Sequence, residues 1–113
     1  MPYCKFCPIR ELDTRDKDSL TKYDRYANCP RCRTNYIFED NEKTKLIRYS
    51  MNTVYKGVAY VAIFDLVNTI FTLRTVSSPS QIENGFEIVT TNALPNITPY
   101  NFYQKLGVYI LFS

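Results

Sequence analysis

The sequence predicts an α+β fold that is mostly β. A charged N-terminal segment bears all the cysteines, an antiparallel β-meander follows, and a C-terminal amphipathic helix closes the chain. Three observations predict it. Four cysteines stand in two Cys-x-x-Cys pairs within the first 32 residues. From Asn35 onward the apolar residues alternate with a period of two, the signature of half-buried strands. Near the end, Phe102, Leu106 and Ile110 recur every fourth residue, as on one face of a helix. With 113 residues, 45% of them hydrophobic and 15% aromatic, the chain has enough apolar side chain for a core. It is one ordinary domain, or a small module (1–52) packed as one unit with a sheet-and-helix part (53–113).

Residues 1–8 hold the first pair, Cys4-Lys5-Phe6-Cys7, and Pro8 stops any helix there. Residues 9–28 mix charges of both signs with few apolar side chains, which predicts a solvated loop with a short helical turn. The second pair is Cys29-Pro30-Arg31-Cys32. Asn35–Phe38 and Leu46–Met51 read as strands around the turn-forming segment Glu39–Thr44. On the second of these, Ile47, Tyr49 and Met51 share a face. Gly57 marks a break. Val58–Leu66 is apolar on both faces, as in a central covered strand, and Val67-Asn68 turns it into Ile70–Val76. Asp65 is the odd carboxylate in that run, and we expect it at a strand end, bonding a turn amide. Ser77–Ser80 reads as a loop and Phe86–Thr90 as a further strand. Thr98-Pro99 has the form of an N-cap followed by proline at the first helical position, so a helix is expected from Pro99 to Leu111.

The cysteines carry the chemistry. A Cys-x-x-Cys turn aims two thiolates at one point, and two such turns supply four sulfurs. That is a complete tetrahedral shell for one Zn2+, with Zn–S bonds of about 2.3 Å. A closed shell leaves no position for water or substrate, so the expected role of Cys4, Cys7, Cys29 and Cys32 is structural. Disulfides suit secreted chains, but the opening Met-Pro-Tyr-Cys-Lys lacks the apolar run of a signal peptide. A redox pair belongs at the strand-to-helix turn of a βαβ unit, which neither pair offers, and an iron–sulfur centre is a further option. We favour zinc, one ion, in a soluble protein of a reducing, cytoplasmic compartment. The longest apolar stretch, Gly57 to Leu66, is too short for a membrane span of ~20 residues.

Two Cys-x-x-Cys turns followed at once by a strand pair resemble the zinc-ribbon class, over residues 1–52. The glycine common in that class after the second cysteine of each turn is replaced here by Pro8 and Arg33. The resemblance implies a module that binds nucleic acid or a protein partner, often in transcription or replication machinery. Candidate contacts are Tyr3, Lys5, Phe6, Arg31, Arg33 and Tyr36: the basic residues can reach phosphates and the aromatics can stack on bases. The basic residues can equally offset the charge of a four-thiolate centre, and Tyr36 can be core.

Net charge is +3, and 12 of 14 Lys/Arg and 8 of 11 Asp/Glu lie in residues 1–57. Mixed signs there argue against a clean basic patch, while ten tyrosines suit a protein interface. The Asn-, Thr- and Tyr-rich composition is like that of AT-rich genomes, many viral ones among them. With no histidine, acid–base catalysis would fall to carboxylates alone and a nucleophile would lack its usual base. The sequence therefore predicts a non-enzymatic zinc-binding accessory protein, a viral or phage factor docking on a larger protein assembly. The alternative is a direct nucleic-acid-binding zinc ribbon. No small-molecule substrate and no membrane partner are expected.

Overall fold

A computed structural model of the chain describes residues 3–13, 25–76 and 86–111. Among these residues, six strands and one helix make up the regular structure: β1 (Tyr26–Asn28), β2 (Asn35–Phe38), β3 (Leu46–Tyr55), β4 (Val58–Asp65), β5 (Ile70–Val76), β6 (Phe86–Thr91) and α1 (Phe102–Leu111). The strands form a single antiparallel sheet in sequence order, a pure meander. β3 runs through position 52, so residues on either side share one sheet. Among the described residues no helix is long and apolar enough to cross a membrane.

The hairpins follow from local chemistry. β3 turns into β4 through Lys56-Gly57, with φ of 50° and 79°, while Tyr55 pairs with Val58. Two consecutive positive φ values give the twist that a two-residue hairpin needs, and glycine supplies one of them without strain. β4 ends at Asp65, as expected of a carboxylate placed to serve a turn. Its Oδ1 accepts the N–H groups of Val67 (3.0 Å) and Asn68 (3.1 Å), and its Oδ2 accepts the Asn68 side-chain amide (2.9 Å). These bonds, the Asn68 side chain first, hold the Asp65 carboxyl below its ordinary pKa of 3.8. Asp40 does the same between β2 and β3, accepting from the N–H groups of Thr44 and Lys45 and from the Thr44 hydroxyl.

One face of the sheet carries the core in cross-strand rows. The first row is Ala27, Tyr36, Tyr49, Phe64, Phe71, each directly opposite the next. Met51, Ala62, Leu73 and Val89 form the second. Within the first row Tyr49 stacks on Phe64 with ring centres 4.5 Å apart, and Phe64 meets Phe71 at 5.1 Å. Each such pair adds about 1 kcal/mol to the gain from burial itself.

β4 is buried on both faces from Ala59 to Ala62, which matches its unbroken apolar sequence. Helix α1 lies against β3 and β6. Phe102 and Leu106 are its buried anchors, Tyr109 meets Phe71 at 5.5 Å, and Tyr103 meets Tyr55 at 4.9 Å.

Three expectations change. Strand β3 runs four residues past the expected Met51, to Tyr55, because Asn52–Tyr55 pair with Val58–Val61 of β4. The helix starts at Phe102 rather than Pro99, because residues 99–101 are spent on a capping turn. Strand β1 falls where a loop was expected. It has only three residues, too few to show a period, and it exists because it pairs with β2 across the second cysteine turn. Residues 14–24 of the expected 9–28 loop and the Ser77–Ser80 loop lie outside the described residues.

A four-thiol candidate metal centre

Each cysteine pair sits in the turn of a small hairpin. In the first, the N–H of Cys4 donates to the Arg10 carbonyl (2.8 Å), and Tyr3 bridges to Glu11. In the second, the N–H of Arg33 donates to the Cys29 carbonyl (2.8 Å) and that of Cys29 to the Thr34 carbonyl (3.1 Å). Asn28 and Asn35 pair at its base. Asp13 then ties the two hairpins together through paired backbone bonds with Asn28, 2.7 and 3.1 Å long.

These turns force residues into the left-handed region. Arg33, φ 63°, stands directly after Cys32, where glycine would carry no penalty. After Cys7 the fixed φ of Pro8 moves that bend one residue on, to Ile9 at φ 53°.

The four sulfurs come together. Cys4, Cys7, Cys29 and Cys32 all place Sγ within 4.8 Å of one another, and they form the group of potential metal ligands among the described residues. Cys4 and Cys32 are 3.6 Å apart, Cys7 and Cys29 3.8 Å. The edge of a tetrahedron with 2.3 Å metal–sulfur bonds is about 3.8 Å, so the arrangement fits a single ion. A disulfide would need about 2.05 Å, and all four cysteines are free thiols. Three of them are buried and Cys32 is partly so.

Polar hydrogens surround the sulfurs. Cys4 Sγ accepts from the N–H of Phe6 (3.3 Å) and lies 3.2 Å from the Tyr36 hydroxyl. The Cys32 N–H points at Cys29 Sγ (3.5 Å), and the buried Thr34 hydroxyl lies 3.2 Å from Cys32 Sγ. Cys7 Sγ is 2.9 Å from the hydroxyl of Tyr100. Each sulfur therefore has at least one N–H or O–H to receive, which suits thiolate ligands.

Ionisation is divided unequally among the thiols. Burial pushes Cys29 up, but the amides of Cys32 and Arg31 and the neighbouring thiols outweigh it and bring the group down to about 7. Burial dominates at Cys32 and raises it to about 12. Burial and the Cys4 contact also raise Tyr36, so its phenol stays protonated.

The expected contact residues divide. Tyr3, Lys5, Arg31 and Arg33 are exposed around the cluster. Tyr36 is 1% exposed and belongs to the core; its hydroxyl is used by Cys4 and by the N–H of Lys5, so the ring offers no stacking face. Phe6 is half-buried, edge-on to Tyr49. The Lys5 ammonium sits 5.8 Å above that same Tyr49 ring.

Sequence reasoning missed Thr34 and Tyr100. Thr34 carried a faint signal, as a hydroxyl two residues after a ligand. Tyr100 carried none, being 93 positions from Cys7.

No protein-family model, no curated protein and no solved structure matches this chain.

Proposed function

We propose that this chain is a non-enzymatic, zinc-binding accessory protein that docks on a larger protein assembly through the surface around its cysteine turns. The observation that carries the reading is the four-sulfur cluster, with Sγ atoms within 4.8 Å of one another and two edges at 3.6 and 3.8 Å. A tetrahedral four-thiolate set suits zinc or an iron–sulfur centre over the hard cations, and sulfur edges that fit a single ion favour zinc over a cluster. Four protein ligands complete the shell, so the ion stabilises structure rather than activating water. The composition supports a viral or phage setting, acting on transcription or replication machinery.

Exposed Lys5, Arg31 and Arg33 keep direct nucleic-acid binding as the second reading. It is the weaker one, because Tyr36 is buried and Phe6 is half-buried, which leaves Tyr3 as the one freely exposed aromatic of the expected set. Base stacking needs open ring faces. A protein partner needs only an apolar and basic relief, which Tyr3, Ile9, Lys5 and Arg31 provide.

Metal analysis of protein purified without added chelator should give about one zinc per chain. Less than half an equivalent, with all four thiols reactive, would overturn the metal reading. Lys5→Glu with Arg31→Glu should abolish recovery of a stoichiometric partner that wild type retains. Fluorescence anisotropy with single-stranded and duplex DNA or RNA at ~0.1 M salt should show no binding below tens of micromolar. Tight, salt-dependent titration would favour the second reading instead.

A further inference from the structure

We propose that Tyr100 is an outer positioning residue of the metal centre, and that it couples metal occupancy to docking of the C-terminal helix. The proposal rests on the zinc reading above and assigns that site a link to the far end of the chain.

The thiols differ in where their donors come from. Cys4, Cys29 and Cys32 receive N–H or O–H groups from residues 6, 32, 34 and 36, all in the cysteine turns or the adjoining strand. Cys7 is served differently. Among the described residues its hydroxyl neighbour is Tyr100, at 2.9 Å. A metal-bound thiolate can only accept, so the phenol is the donor. Four thiolates on one divalent ion carry a net charge of about −2, and donors to sulfur offset it and fix the ligand's direction.

Tyr100 is held in place from its other side. It lies in the turn that begins α1, where Thr98 Oγ1 accepts the N–H groups of Tyr100 (3.3 Å) and Asn101 (3.2 Å). Asn101 Oδ1 in turn accepts the Thr98 N–H (2.6 Å), closing a reciprocal cap. One residue further, Phe102 is buried at 2% exposure. Tyr100 is itself 58% exposed, so burial does not explain where its side chain points. The contact with Cys7 does. Displacing Cys7 would pull on the cap, and displacing the cap would remove a donor from Cys7.

Tyr100→Phe deletes the hydroxyl and keeps the ring, and Tyr103→Phe, in the first turn of α1, is the control. Tyr100→Phe should still bind one zinc, but transfer it to a chelating dye about 10-fold faster than wild type or the control, the scale on which outer donors act. In the cobalt-substituted protein its thiolate-to-metal charge-transfer band should shift. In wild type, removing zinc should speed amide exchange across 102–111, and in Tyr100→Phe that dependence should shrink. A release rate, band and zinc dependence equal to wild type would overturn the coupling while leaving the zinc reading intact. Wild-type protein that takes up no zinc at all would overturn both.

Discussion

Arg33 shows how a single backbone angle records a functional demand. Its φ of 63° is imposed by the turn that aims Cys29 and Cys32 at one point. A side chain there costs roughly 1 kcal/mol against glycine, and nothing else about residue 33 asks for that conformation. Arg33→Gly should therefore raise the urea midpoint, with a gain in unfolding free energy of up to about 1 kcal/mol after the greater freedom of glycine in the unfolded chain is counted. A lower midpoint would mean that the guanidinium does something the backbone does not reveal. Asp65 gives a second test at this scale. Its pKa is lowered in the folded state, so it contributes stability that is present above the unfolded value of 3.8 and is lost as pH falls through the folded one. The thermal stability of wild type should thus exceed that of Asp65→Asn at pH 7, and the gap should narrow below pH 4. A gap independent of pH would show that the carboxylate charge is not what holds the turn.

Among the elements, α1 depends most on a few contacts. It has a Thr98 cap, a buried stripe and no acidic residue in its first turn, so packing rather than the helix dipole holds it. Leu106 is 1% exposed at the centre of the stripe. Leu106→Ala should cost about 2–5 kcal/mol in denaturant unfolding, the range for emptying a well-packed leucine site. A loss under 1 kcal/mol would show that α1 is not part of the cooperative core. The periodicity of this helix was plain in the sequence, since Phe102, Leu106 and Ile110 fall on one stripe by spacing alone. The sheet was legible for the same reason from Asn35 onward. β1 was not, because three residues next to a cysteine turn become a strand only when a partner strand is brought alongside.

For the whole molecule, the four cysteines lie between the first hairpin and the β1–β2 edge of a sheet whose centre is already well packed, and on the zinc reading proposed above they form a clip between the two. Removing it should loosen the chain from that edge inward. Cys29→Ser, or zinc extraction by a strong chelator, should make residues 1–52 protease-sensitive first, while β4 and β5 retain slow amide exchange through Val61, Phe64, Phe71 and Leu73. Unchanged resistance of residues 1–52 in Cys29→Ser would show that the sulfurs do not clip the fold. The aromatic row through Tyr36, Tyr49, Phe64 and Phe71 places the cluster at one end of the core and Tyr109 of the helix beside the other.

By itself the sequence determined the period-two core, the helical stripe and the two Cys-x-x-Cys pairs, because these depend on residue type and short spacing. The turn role of Asp65 was equally local. The tertiary structure alone decided that Tyr36 is core rather than a contact, that Thr34 and Tyr100 face the sulfurs, and that Arg33 and Ile9 bear the bends. Each of these depends on which distant segments meet, and no local period encodes the 93-position separation of Cys7 and Tyr100. The physical reason is that burial and hydrogen-bond satisfaction are settled by the whole packed chain, whereas periodicity is settled by its nearest neighbours.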